Sequence, residues 1–329
     1  MLPFRTNEYL VNQLIDWDNV PNDPIFQLTF SQRGMLAEED FRAVRDGLDR
    51  GMSAKELEPT VAEIRRKLNP HPGGQSTHNV PMLDGRALEG LQHKYRETVL
   101  FFPSAGQTCH AYCSFCFRWA QFVETDDVKF AASETSDLTS YLERHPGVTD
   151  VLFTGGDPMI MSAATMKRYI EPLLDVETVK TIRIGTKAPL YWPQRFVSDP
   201  DADELLRLFE RIVDRGKHLA IMTHLSHPVE LSTEVTKQAF RRIRATGANM
   251  RLQSPVIRHV NDDPNVWSRM WTDGVRMGAL PYYMFVERDT GAKRYFELPL
   301  VRCWEIFRDA FQQVSGTART ARGPVMSAF

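Results

Sequence analysis

The sequence predicts an α/β fold, a parallel sheet whose strands alternate with helices, preceded by a helical N-terminal extension. Two observations carry this. From Thr98 onward, six short apolar runs alternate with amphipathic stretches, the rhythm of β-α units. Before that point the chain has helical spacing and breakers but no such rhythm. The expected division is an extension over 1–95, a core domain over 96–297, and a last helix and tail over 298–329.

In the extension, Ala37–Arg50 opens with Glu38, Glu39 and Asp40 and keeps apolar residues at helical spacing; Gly51 can end it. Leu57–Leu68 reads as a second helix, stopped by the breakers of Asn69–Gly74. The core strands are expected at 98–104, 150–156, 181–186, 218–224, 249–255 and 280–286. Helices are expected between them at 134–145, 163–174, 203–215, 231–246 and 265–278, with a last one at 299–314.

Composition narrows the function. A net charge of −2 gives no strong pull toward nucleic acid or membrane. No apolar run approaches the roughly 20 residues of a membrane helix. The N-terminus lacks the apolar stretch of a secretory signal, so a cytoplasmic location is expected. Three clustered cysteines and one distant one are not a disulfide framework and fit reduced thiols.

Chemistry gathers at the carboxyl ends of strands in parallel β/α sheets. The distinctive residues here fall in those places. Cys109, Cys113 and Cys116 occupy one loop after the first expected strand, spaced C-x3-C-x2-C, and the fourth cysteine, Cys303, is remote. Three thiolates without a nearby fourth suggest an iron–sulfur cluster with one open iron. A zinc site would need a fourth ligand, for which His110 is near enough in sequence. Gly155 and Gly156 allow close backbone approach to a ligand, and the Asp157 carboxylate can receive an ammonium group. Arg183 interrupts an apolar strand, where it can meet a carboxylate or phosphate or make a structural salt bridge. His224 and His227 stand at i and i+3, and His224 is a candidate for ligand contact. In VNDDP (260–264), Asn261 or Asp262 can serve as a helix N-cap.

With Phe115 before its last cysteine, the loop resembles the signature of radical S-adenosylmethionine enzymes. The chain is similar more specifically to the lysine 2,3-aminomutase family. The resemblance rests on NDPIFQLTF, KYRETVLFF, CHAYCSFCFR, TGGDPM, IRIGTKAPLYWPQRF, THLSHPVE, LQSPVIRHVNDDP and LPYYMF, in the family's order. It implies a partial (β/α)6 barrel and a [4Fe–4S] cluster on the three cysteines. S-adenosylmethionine would bind the open iron and yield a 5′-deoxyadenosyl radical that takes hydrogen from an amino-acid substrate, leading to 1,2-amino migration. Phe115, Gly155, Gly156, Asp157, Arg183 and Gln253 would contact S-adenosylmethionine. Arg118 would bind the substrate carboxylate, and Asp262 the amine of a basic side chain. Lys94, Tyr95 and His224 would contact pyridoxal phosphate if it is used. An electron donor such as flavodoxin or ferredoxin is expected.

The chain departs from the family pattern in several places. Trp119 replaces a basic residue after the carboxylate-binding arginine. Val325 stands in register with a second substrate carboxylate, so a lone Asp262 puts lysine itself in doubt. The lysine that engages pyridoxal phosphate would fall a few residues beyond Phe329. The family's C-terminal zinc cysteines have no counterpart, and no oligomeric state is expected. Two other readings compete: a radical epimerase, oxidase or rearrangement enzyme without pyridoxal phosphate, and a non-enzymatic iron–sulfur protein. The GGDP and IRIGTK segments argue against the last, because a carrier needs no nucleoside pocket.

Overall fold

A computed structural model describes residues 2–70, 78–123 and 130–326. The extension holds α1 (Pro24–Thr29), α2 (Glu38–Asp49) and α3 (Ala54–Leu68). Asp23 caps α1, its carboxylate accepting from the Phe26 amide at 2.7 Å. Ser53 and Glu56 form a capping box that starts α3 earlier than apolar spacing alone suggests. Residues 71–74, four of the expected breakers, lie outside the described residues.

A small antiparallel pair follows, β1 (Met82–Leu83) with β2 (Arg86–Ala87). The main sheet then runs β3 (Leu91–Tyr95), β4 (Thr98–Phe101), β5 (Asp150–Phe153), β6 (Thr181–Thr186), β7 (His218–His224), β8 (Asn249–Val256), β9 (Ala279–Val286) and β10 (Arg322–Val325). Spatial order equals sequence order, and every pairing from β4 to β10 is parallel. Between the strands lie α4 (Ser136–Arg144), α5 (Ala163–Leu174), α6 (Ala188–Tyr191), α7 (Ala202–Asp214), α8 (Glu234–Ala245) and α9 (Pro264–Arg276). After β9 come α10 (Lys293–Phe296) and α11 (Leu300–Gln312).

All six expected strands form. β4 and β5 are shorter than their apolar runs: Pro103 cannot donate to a ladder, and Gly155 takes a positive φ of 131°. Two strands had no apolar signature. β3 (LQHKY) is a polar edge strand antiparallel to β4. β10 (RGPV) is an edge strand, the place where a sheet tolerates proline. Among the described residues no β3–β10 pairing closes the sheet. It nevertheless curls, because residues after β9 touch residues after β4: Trp119 Nε1 donates to Thr290 Oγ1 at 2.9 Å.

β6 buries alternate residues, Ile182, Ile184 and Thr186, whereas central β7 buries all five from Leu219 to Thr223. The face of α7 that meets the sheet carries Leu205, Phe209 and Ile212, all at 0% exposure. Burying each such side chain stabilises by about 1.5–3 kcal/mol. Leu10, Leu14, Ile25 and Leu28 of the extension join the same hydrophobic cluster. No described helix is long and apolar enough to cross a membrane.

Candidate active site

The site lies where chain leaves the carboxyl ends of β4 through β9. Its hub is Asp157, in the turn after β5. Oδ1 accepts from Thr186 Oγ1 at 2.7 Å and the Met159 amide at 3.0 Å. Oδ2 accepts from the Lys187 amide at 2.9 Å and from His110 Nε2 at 3.2 Å. Burial would raise this carboxyl, but those bonds and the His110 charge hold it below the usual range. Asp157 therefore ties the cysteine loop and the β5 turn to the end of β6. Four protein donors thus meet the two oxygens of the carboxylate that was expected to receive a ligand's ammonium.

The paired glycines serve the same junction. A Cβ on Gly156 would lie 2.3 Å from the Thr108 carbonyl oxygen and 2.5 Å from the Thr108 nitrogen. One on Gly155 would lie 2.2 Å from Gln107 Nε2. The turn is thus pressed against the residues that lead into Cys109. From the other side the extension pins the loop. Arg5 donates to the Cys109 carbonyl at 2.7 Å, and Ser114 donates to the Gln27 and Leu28 carbonyls. This gives the NDPIFQLTF segment its role: the end of α1 supplies the acceptors that fix the loop.

Burial raises each of the three thiols, Cys113 to about 12, and the charges of neighbouring cysteines add to the rise at Cys109 and Cys113. Buried thiols of this kind ionise only when a cation takes up the charge. No described group of three His, Cys, Asp or Glu side chains is close enough to hold a single metal ion. A cluster would place each cysteine on a separate iron. His110, the candidate fourth ligand for zinc, meets Asp157 through Nε2. Two buried polar atoms nearby lack protein partners, His110 Nδ1 and the Tyr191 hydroxyl. Both suit a bound polar group, so the chemistry of the loop fits a cluster and its ligand. Cys303 is buried in α11, with its sulfur toward the Leu298 carbonyl.

Beneath the loop lies a pair that sequence reasoning missed. Lys187 Nζ donates to Glu230 Oε2 at 2.7 Å and to the His224 carbonyl at 2.8 Å. Glu230 is 0% exposed and accepts from the Ser226 and His227 amides through Oε1. The Lys187 charge also lowers Cys113 against the upward push of burial. A lysine after a strand-ending GT and a glutamate three residues after His227 were the available signals. Next to this pair, His224 Nε2 and Gln253 Nε2 sit 2.8 Å apart on adjacent strands. Burial, then the Lys187 charge, pushes His224 down to about 4, so the ring is neutral. Two residues expected near ligands are therefore brought together.

On the β9 side, Arg118 Cζ sits 4.6 Å from the Phe102 ring centroid and 5.1 Å from that of Phe117. Arg288, which follows β9, approaches Phe117 at 4.5 Å. Burial, then Arg288, lowers Arg118 to about 10. Burial also lowers Arg288, against the Tyr95 hydroxyl. Phe115 packs edge-on to Phe296 at 6.3 Å. Lys94 and Tyr95 are exposed at the end of β3, Lys94 Nζ lying 5.8 Å from the Tyr95 centroid.

Two expected site residues point elsewhere. Arg183 pairs with Asp150 at the start of β5, Nη2 to Oδ2 at 2.7 Å and Nε to Oδ1 at 3.0 Å; the structural salt bridge accounts for it. Asp262 sits before α9, where its carbonyl accepts from Arg302 at 3.2 Å and its charge acts on His259. The buried Asn261 side chain braces the same turn, accepting from the Ile257 amide. Asp263, not Asn261 or Asp262, caps α9.

A parallel sheet with a three-cysteine loop past its first parallel strand defines a class of site, the one used in radical S-adenosylmethionine chemistry. The chain is 30% identical over 320 residues to the Aquifex aeolicus protein named "Putative L-lysine 2,3-aminomutase", covering 97% of this chain and 74% of that one. It is 28% identical to the L-lysine 2,3-aminomutases of Fusobacterium nucleatum and Acetoanaerobium sticklandii, each over 70% of this chain. It spans 51% and 52% of their lengths, about half of each. The chain belongs to the lysine 2,3-aminomutase family of radical S-adenosylmethionine enzymes. No protein-family model matches it. A radical SAM methyltransferase structure from Sphaerobacter thermophilus aligns with TM-score 0.47 and 17% identity, covering 70% of this chain and 68% of that one, too slight a likeness to argue from.

Proposed function

We propose that this chain rearranges an amino acid by radical chemistry, moving its amine between neighbouring carbons. The observation that carries the reading is the loop of three half-buried thiols at the carboxyl end of the first parallel strand, in a chain with this family membership. Cys109, Cys113 and Cys116 would hold a [4Fe–4S] cluster. When bound, the cluster and S-adenosylmethionine supply a carbon-centred radical that takes hydrogen from the substrate, and pyridoxal phosphate would hold the migrating amine.

The chain's own residues position and shield this chemistry. Gly155 and Gly156 keep the β5 turn against the loop, and Asp157 locks both to β6. Arg118 offers a guanidinium to the substrate carboxylate, with its faces against Phe102 and Phe117. His224 stays neutral and, with Gln253, presents polar contacts without adding charge. Tyr95 and Lys94 are accessible to a phosphate group, and electrons would come from a flavodoxin- or ferredoxin-type donor.

The test is anaerobic. Reconstituted protein should show visible cluster absorption, and reduction should cleave S-adenosylmethionine to methionine and 5′-deoxyadenosine. Cys113→Ala should abolish both signals; retained cleavage would overturn the cluster assignment. Added pyridoxal phosphate should give its own absorption band. Its absence would remove the aminomutase chemistry and leave a radical enzyme of another kind.

A further inference from the structure

We propose that the Tyr191 hydroxyl donates a hydrogen bond to the Cys113 sulfur when that sulfur holds the cluster, and so raises the cluster's reduction potential. This rests on the cluster reading above and adds to the site a residue from outside the cysteine loop.

Tyr191 ends α6, the short helix that follows β6, and it is fully buried. Its neighbours tie it to the cysteine loop. Asn7 donates to the Tyr191 carbonyl at 2.9 Å, and Arg5, two residues earlier, donates to the Cys109 carbonyl. Trp192, the next residue, has its ring centroid 5.7 Å from that of His110, which lies between Cys109 and Cys113. Lys187 Nζ lies 4.2 Å from the centroid of the phenol ring. Cys113 packs against the hydrophobic cluster to which Tyr191 belongs.

A buried tyrosine usually finds a partner for its hydroxyl, because leaving it unmatched costs stability. Tyr9 shows the ordinary case, with Thr233 Oγ1 at 2.7 Å and Thr236 Oγ1 at 2.8 Å. The Tyr191 hydroxyl has no hydrogen-bond partner among the described residues. Burial raises this phenol, and the charges of Glu230, Cys113 and Asp23 raise it further, so it keeps a proton to donate. Two of those three groups already hold protein donors. Glu230 accepts from Lys187 through Oε2 and from two amides through Oε1. Asp23 accepts one amide on each oxygen, from Phe26 and from Asp16. Cys113 is the third. A cluster takes it as the thiolate, which turns a weak acceptor into a charged one. Hydrogen bonds to the sulfurs help set a cluster's potential, and they favour the more negative, reduced state.

The test is a redox titration of the anaerobically reconstituted chain, followed by electron paramagnetic resonance of the reduced cluster. Tyr191→Phe should load the cluster as the wild type does. At a given applied potential its ratio of reduced to oxidised cluster should be about tenfold lower, a downward shift of about 59 mV. Deuterated solvent should move the iron–thiolate stretching bands of the wild type more than those of the variant. Melting of the cluster-free protein separates this from a structural role. Tyr191→Phe should melt no lower than the wild type, because it removes an unmatched hydroxyl. Tyr9→Phe should melt lower and leave the potential unchanged. An unchanged potential in cluster-loaded Tyr191→Phe overturns the proposal and leaves the cluster reading standing. So does an unchanged potential with weaker S-adenosylmethionine binding, which would make that molecule the acceptor. A lower melting temperature of cluster-free Tyr191→Phe overturns it too, since the hydroxyl would then have a partner inside the protein. A wild-type chain that loads no cluster overturns both readings.

Discussion

Around Asp157, four donors converge on one buried carboxylate; around Phe117, two guanidiniums converge on one aromatic ring. Both places lie in loops that leave the same end of the sheet. In the first, both oxygens of the carboxylate are matched inside the protein, and Glu230 with Lys187 repeats the pattern. In the second, like charges are gathered. Matched charges make scaffold: they hold turns in place and leave no capacity for a ligand. Two guanidiniums on one ring repel each other, a cost that opposite charges near them offset. The difference shows what Asp157 holds together inside the protein and brings out Arg288, which motif reading did not single out.

The largest effect is expected where the scaffold is tightest. Gly156→Ala places a methyl against the Thr108 backbone, which cannot turn aside like a side chain. The cysteine loop must move. A loss of about 3 kcal/mol and failure to load the cluster are expected, read by melting and by visible absorption. Gly185→Ala is the control: its Cβ would meet the Phe153 carbonyl oxygen at 3.6 Å and Thr154 Oγ1 at 4.0 Å, ordinary contacts. Equal damage from both would remove the claim that the turn and the loop are locked.

Lys187→Met comes next. It leaves Glu230 at 0% exposure without its cation. Breaking a buried pair by removing one partner costs about 3–5 kcal/mol. Methionine keeps the bulk over the Tyr191 ring, which Lys187 Nζ approaches at 4.2 Å. A melting curve like that of the wild type would show that Glu230 takes up a proton at little cost.

Much of this was legible in the sequence, and the rest was hidden for physical reasons. The six strands announce themselves because strands in a parallel sheet are buried on both faces and so read as apolar runs. β3 and β10 are edges, with no such requirement, and their sequences are polar or broken by proline. The cysteine spacing is local and therefore visible. The partners of the loop are not: Arg5, Gln27 and Thr290 lie far from it in sequence. Asp157 was singled out as a charged group after a strand and Arg183 as one inside a strand, but spacing does not say which protein groups will meet them first. Arg288 lay in a stretch with no motif, and only the docking of Trp119 against Thr290 reveals what it faces.

The smallest effect tests the like-charged region by pH. Glu287 is buried, and neither of its oxygens has a partner among the described residues. Burial, with Glu297 nearby, lifts its carboxyl from 4.5 to about 9. Between those values the folded protein holds a proton that the unfolded chain has lost. Stability is therefore full below about 4.5 and falls as pH rises toward 9. Glu287→Gln keeps the shape and removes the titration. Its melting temperature should decline less than that of the wild type between pH 5 and 9, with the two proteins closest at the acid end. Parallel curves would mean that Glu287 is already ionised at neutral pH. It would then sit as a carboxylate beside Arg288, and the region around Phe117 would carry one more negative charge.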